Sequence, residues 1–198
     1  SLTVRAPRRA PVVDIQSFIL EKRDWILRTQ KKTRSIVEIP KKEYKNGEKF
    51  LFLGEEYQLN LVKLQRPALK FSNGFTLGSA AQNRGEQVFT QWYKEQAYEV
   101  IEKRVNVFSY QYGFSPRQVK ISSARTRWGS CSPNGTLNFS WRLVMAPLEV
   151  IDYVVVHELA HLHVKDHSSR FWQEVEKIMP DYKDRRKWLR IHGEKLSL

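Results

Sequence analysis

The chain carries little that would staple it, anchor it or export it. Its 198 residues include one cysteine, Cys131, so no internal disulfide can form and the sequence fits a reducing compartment. No apolar run approaches the roughly 18 residues of a membrane span, and no signal-peptide pattern opens the chain. These absences predict a cytoplasmic protein with no membrane attachment. The chain opens on Ser1 rather than Met, which leaves a preceding segment open. There is no phosphate loop of the G-x-x-x-x-G-K-S/T kind and no acidic cluster to hold Mg²⁺ beside a triphosphate. A nucleotide hydrolase is thereby demoted to an alternative.

What is present is a folding composition with a strong positive bias. With 41% hydrophobic and 12% aromatic residues the chain can bury a sizeable core. The net charge of +13 draws polyanions, whether nucleotides, nucleic acid or acidic protein segments. Residues 1–80 hold 16 basic against 8 acidic groups and residues 81–198 hold 18 against 13, so the excess is spread and forms no dense tail. Local clusters stand at Arg5/Arg8/Arg9, Lys31/Lys32/Arg34 and Arg185/Arg186/Lys187/Arg190. Charge alone licenses only non-specific attraction, and a solvated face is the plainer reading of such runs.

The strongest pattern is His157-Glu158-Leu159-Ala160-His161. On an α-helix the two histidines lie one turn and about 40° apart, so both imidazoles reach a single ion. Glu158 lies about 60° beyond His161 on the same side. Two neutral imidazoles for Zn²⁺, with a carboxylate beside them to take a proton from water, are the parts of a zinc hydrolase. With 5 His in the chain, chance supplies such a string only about 0.01 times. Leu148, Ile151, Val155, Leu159 and Leu162 recur at steps of three and four and predict an apolar stripe opposite the ligand face. Pro147 suits a first helical turn, giving a helix from about Pro147 to about Val164.

The third ligand has several candidates. His163 is rotated about 200° from His161 and reads as a surface residue. His167 follows the break at Lys165-Asp166, where a second helix starts at Ser168 or Ser169, and a turn there can swing its ring to the ion. An acidic ligand would be Glu174 or Glu176, and Cys131 could close the site as a fourth ligand, the arrangement of a structural zinc.

These residues carry a family resemblance. The run Arg127-Trp128-Gly129-Ser130-Cys131-Ser132, then Asn138, then residues 151–162 around the histidine pair, and Asp166-His167-Ser168-Ser169-Arg170-Phe171-Trp172 resemble the YgjP-like metallopeptidase-domain family. That family is similar in organisation to the SprT-like and WLM proteases. The resemblance implies His157, His161 and His167 as metal ligands, Glu158 as general base, and metal-dependent hydrolysis. Asp166 departs from the Asn that such sequences often carry before the third histidine.

Along the rest of the chain, residues 2–6 read as a strand and Asp14 as the cap of a helix carrying Ile15, Phe18, Ile19, Trp25 and Ile26, which ends at Lys31-Lys32. Strand-like runs at 50–53, 57–61 and 69–71, divided by Asn46-Gly47, Gly54 and Asn73-Gly74, predict an antiparallel meander. From about Arg84 to about Tyr112 an aromatic stripe predicts a long core helix that Gly113 ends. Residues 119–123 and 137–143 read as strands paired about the turn Pro133-Asn134-Gly135. Trp128 can wall a cleft and Gly129 can admit a close backbone. Arg127, Trp128, Gly129 and Asn138 are candidate substrate-binding residues, and Tyr153 and Arg142 join Arg127 and Asn138 as candidate oxyanion helpers. Phe171, Trp172, Val175, Ile178 and Met179 make a further apolar face.

The expectation is an α+β, zincin-like fold: a β-rich region with one helix over residues 1–80 and a catalytic domain over 81–198, sharing one core. The expected activity is zinc-dependent peptide hydrolysis of a polypeptide substrate. The rivals are a metal-dependent nucleotide or phosphoanhydride hydrolase and a nucleic-acid-binding module with structural zinc.

Overall fold

The computed structural model describes residues 4, 6, 7, 9–27 and 41–198. The strand expected over 2–6 lies largely outside them, as do Lys31-Lys32 and most of two basic clusters. The chain divides into two compact units, residues 1–40 and 41–198. The first holds helix α1 (Val12–Glu21). Pro11 precedes α1 and its carbonyl accepts from the N–H of Asp14 at 3.1 Å, so Asp14 sits inside the first turn and does not cap it.

The second unit contains both the strands expected of the N-terminal region and the expected catalytic half. Strands β1 (Lys49–Phe52) and β2 (Glu55–Val62) form a hairpin. Its two turn residues, Leu53 and Gly54, have φ of 50° and 88°, the left-handed pair that a tight two-residue turn demands. Strands β3 (Leu69–Phe71) and β4 (Phe75–Gly78) pair antiparallel, but β4 then lies parallel to β2, giving the order β1-β2-β4-β3. The expected meander is therefore corrected: the second hairpin reverses about β4 and inserts that strand beside β2.

Helix α2 (Gly85–Tyr112) buries Phe89, Tyr93, Ala97, Ile101, Val105 and Phe108 along one face and ends at Gly113, whose φ of 74° no branched residue would tolerate cheaply. Phe89 stacks on Phe50 with centroids 4.1 Å apart, and Trp92 meets Phe75 edge-on at 4.9 Å, so α2 covers the first sheet with aromatic contacts.

A second sheet has the order β5-β7-β6, from β5 (Gln118–Ser122), β6 (Gly129–Cys131) and β7 (Thr136–Ser140). Here too the expected pairing is corrected. The turn at Pro133-Asn134-Gly135 joins β6 to β7 antiparallel, whereas β5 runs parallel to β7. Residues 141–145 leave the strand for a 3₁₀ turn whose Trp141, Leu143, Val144 and Met145 are buried. Helix α3 (Leu148–His163) follows, then α4 (Ser169–Ile178) and α5 (Tyr182–His192). Among the described helices none is long and apolar enough to cross a membrane.

Candidate metal centre

Helix α3 begins after Pro147 and ends at His163, as its sequence predicts. It is buried on more than the expected stripe: Val150, Val154, Val156 and Ala160 are inside together with Ile151, Val155 and Leu159, while Leu148 remains 40% exposed. From Val150 to Ala160 the helix runs through the core, and only Asp152 and His157 in that stretch are not buried. Four contacts hold its start and its side against the neighbouring elements. The Leu53 and Gly54 N–H groups donate to the Val144 and Met145 carbonyls at 2.9 and 3.1 Å. A side chain at Gly54 would press within 3.0 Å of Pro147. Arg104 of α2 grips Asp152 with both ends of its fork, at 2.5 and 2.8 Å.

After α3 the chain turns at Lys165-Asp166. The Ser168 N–H donates to the Asp166 carboxylate at 3.1 Å, which tightens the turn that carries His167 back over the helix. The His167 Nε2 lies 3.0 Å from His157 Nε2 and 3.2 Å from His161 Nε2. Nitrogens each about 2.0–2.1 Å from one tetrahedral ion would lie about 3.3–3.4 Å apart; these two spacings come close to that, and a ligand nitrogen from each of the three rings lies within 4.8 Å of the other two. His161 Nδ1 donates to the Val164 carbonyl at 3.0 Å, which leaves its Nε2 lone pair for the cluster. Burial, then the two other imidazoles and Arg186, push His157 down to about 3, and burial also lowers His161, so both rings stay neutral as ligands must.

Phe171 of α4 is the floor of this cluster. Fully buried, it stacks on His161 at 4.4 Å and meets His157 and His167 edge-on at 4.8 and 4.9 Å. Sequence periodicity marks Phe171 only as core; its contact with all three rings has no sequence signal beyond its place four residues after His167.

Glu158 is 5% exposed and is one of two buried polar residues among those described. Burial raises its carboxyl to about 8, with Arg127 pulling the other way. The carboxyl fits because Gly129 lies against it: a Cβ there would stand 2.5 Å from Oε1 and 2.7 Å from Cδ. Gly129 belongs to β6, an edge strand of the sheet, and Glu158 packs on the face of that strand.

A cleft of about 250 Å³ opens over these groups, lined by Trp128, Gly129, Tyr153, His157, Glu158, Arg186 and others. Trp128 is held against Gly193, where a Cβ would meet its ring at 2.8 Å, and its carbonyl accepts from the Ser140 N–H at 2.9 Å. Tyr153 sits in the cleft wall with its hydroxyl raised to about 12, chiefly by burial. Arg127 is exposed near Glu158.

The other candidates lie elsewhere. Asn138 pairs with Ser130 and Lys120 across the sheet, one step out of phase with Gly129 and Phe139, so it occupies the opposite face from the one Glu158 packs on. Arg142 donates to the Ser123 carbonyl and lies over Trp141. His163 is exposed, stacks on Phe114 and faces Glu174 at 3.3 Å; Glu176 pairs with Lys183 at 3.2 Å. Neither acid joins the histidines, and the Cys131 thiol points to the Ser132 carbonyl at 3.5 Å. Arg186 was legible only as one charge in a basic run, yet it lines the cleft with its guanidinium 4.7 Å over Trp172.

A helix-borne imidazole pair, a third imidazole from the next turn and a buried carboxylate under an edge strand together define a candidate metal centre. The sequence profile of the YgjP-like metallopeptidase domain matches residues 1–192, and the chain belongs to that family. No curated protein matches it. Among solved structures, it is similar to the crystal structure of the metallopeptidase zymogen of Pyrococcus abyssi abylysin. The identity is 28%, the TM-score 0.42, and the match covers 48% of this chain and 93% of that one.

Proposed function

We propose that the protein is a zinc-dependent metallopeptidase in which His157, His161 and His167 hold the ion and Glu158 moves the protons. The observation that carries this reading is the meeting of three imidazole nitrogens, two of the spacings being 3.0 and 3.2 Å, beside a buried carboxyl. A Zn²⁺ held there supplies a water acidified to a pKa of about 7, a Lewis acid for a substrate carbonyl, and a positive charge that favours the ionised form of Glu158. Glu158 takes the proton of the attacking water and returns it to the departing amine. Its burial, which favours the protonated form, suits the second half of that cycle.

The β6 edge accepts an extended peptide by adding a strand, and Trp128 walls one end of the cleft. Tyr153 lines the cleft with a hydroxyl that stays protonated, which supports it as the donor to a developing oxyanion. Of the substrate-binding candidates, Trp128 and Gly129 line the cleft and support the reading, Arg127 stands near Glu158, and Asn138 is withdrawn to the far face of the sheet.

The test sets zinc-loaded wild type and Glu158→Gln against a library of extended peptides and, separately, nucleoside triphosphates. The expected result is peptide cleavage by wild type alone, abolished by chelator, with the variant still carrying zinc. Glu158-dependent release of phosphate with no peptide cut would replace the reading with a phosphoanhydride hydrolase.

A further inference from the structure

Helix α5 carries Lys183, Arg186, Lys187 and Arg190 at helical steps of three, one and three, so all four share one face. They line a groove of about 630 Å³, and among the described residues no carboxylate lines it. The helix's other side is apolar, with Tyr182 and Leu189 buried. Neighbouring charges are satisfied: Arg185 pairs with Asp181 at 2.6 Å and Glu149 at 3.6 Å, and Lys183 with Glu176 at 3.2 Å. Arg186, Lys187 and Arg190 are exposed and have no carboxylate partner among the described residues. Like charges at these spacings repel, and an anionic ligand relieves that cost.

The groove adjoins the candidate catalytic cleft, because Arg186 lines both. Its guanidinium lies on the Trp172 ring, and that ring stacks against His167 at 5.8 Å. The spacing also favours one kind of anion. Arg186 and Arg190 are separated by about 6 Å along the helix axis, close to the roughly 6.8 Å between alternate side chains of an extended peptide. Single-stranded nucleic acid would call for aromatic platforms on which bases stack, and among the described residues the groove is lined by the four cations.

We propose that this face is a substrate subsite for acidic side chains: a polypeptide crossing the cleft sets one Asp or Glu beside its scissile bond onto Arg186 and Lys187 and the next alternate acidic residue onto Arg190. The proposal rests on the peptidase reading for the identity of the ligand, while the binding it claims can be measured without turnover.

The experiment uses the full-length, zinc-loaded Glu158→Gln protein and two labelled extended peptides, identical except for Glu or Gln at three alternate positions. Fluorescence anisotropy reads the affinities. At low salt the Glu peptide binds about tenfold more tightly, and the preference fades near 0.3 M salt, as exposed ion pairs do when the Debye length falls. Adding Lys187→Gln and Arg190→Gln cuts the preference to about twofold or less. Adding Lys63→Gln and Lys70→Gln, which removes the same charge from exposed positions elsewhere, leaves it in place.

No preference in the parent protein, or equal loss in both double variants, overturns the subsite. Displacement by inorganic tripolyphosphate with no Glu preference also overturns it, assigning the groove to phosphate ligands. A parallel assay with zinc-loaded wild type separates the two claims. Equal cleavage of both peptides sinks the subsite and leaves the peptidase standing. Retained Glu preference in binding with neither peptide cut keeps the anionic site and removes the peptidase.

Discussion

At Gly129 one hydrogen sets how close strand β6 can come to Glu158. Gly129→Ala introduces a methyl 2.5 Å from the carboxylate oxygen, and because Glu158 is buried it has nowhere to retreat without leaving its place beside the histidines. An ångström of misplacement is enough to lower kcat/KM about 100-fold. We expect that loss in a peptide assay, with zinc content unchanged by metal analysis; full activity would show that Glu158 tolerates the shift. The histidines give a second test. His167→Ala should release zinc, whereas His163→Ala, which removes a ring stacked on Phe114, should retain it. Equal metal loss in both variants contradicts the ligand set. The histidine pair and Glu158 were legible because helical periodicity alone brings those positions together. Arg186 and Phe171 were not, because their approach depends on how α4 and α5 dock, and nothing local in the sequence encodes that.

Among the elements, helices were easier to read than sheets for the same reason. Pro147 and Gly113 mark helix ends through backbone geometry that belongs to single residues, and the observed ends of α3 and α2 follow them. Strand pairing is a long-range choice. The parallel β2–β4 and β5–β7 ladders join strands that the chain visits out of order, and β6, three residues long, is too short to leave a period. The element that most needs accurate placement is α3, and Arg104–Asp152 is its polar tie to α2. Asp152→Asn should lower stability by about 2 kcal/mol, since it leaves a largely buried guanidinium without its charge partner. Urea unfolding of the metal-free protein measures this, and an unchanged midpoint would mean that apolar packing alone holds the helix.

On the scale of the whole molecule, a metal ion at this centre would join elements that the chain makes separately. His157 and His161 lie on α3 and His167 on the turn before α4, so an ion bound to all three ties the two helices in the folded state only. Zinc at 1,000 times its dissociation constant should stabilise the protein by about 4 kcal/mol; thermal unfolding with and without chelator reads the effect, and His167→Ala should abolish most of it. The fold gathers part of the basic excess read from the composition onto one face of α5. All of this depends on the centre being open, with three protein ligands and a free position. X-ray absorption of the protein loaded with one equivalent of zinc tests that most directly. The account predicts about four nitrogen or oxygen neighbours at about 2.0–2.2 Å, three of them imidazole nitrogens, and no sulfur. A sulfur neighbour at about 2.3 Å, which only Cys131 or a methionine could provide, would describe a closed site and contradict it.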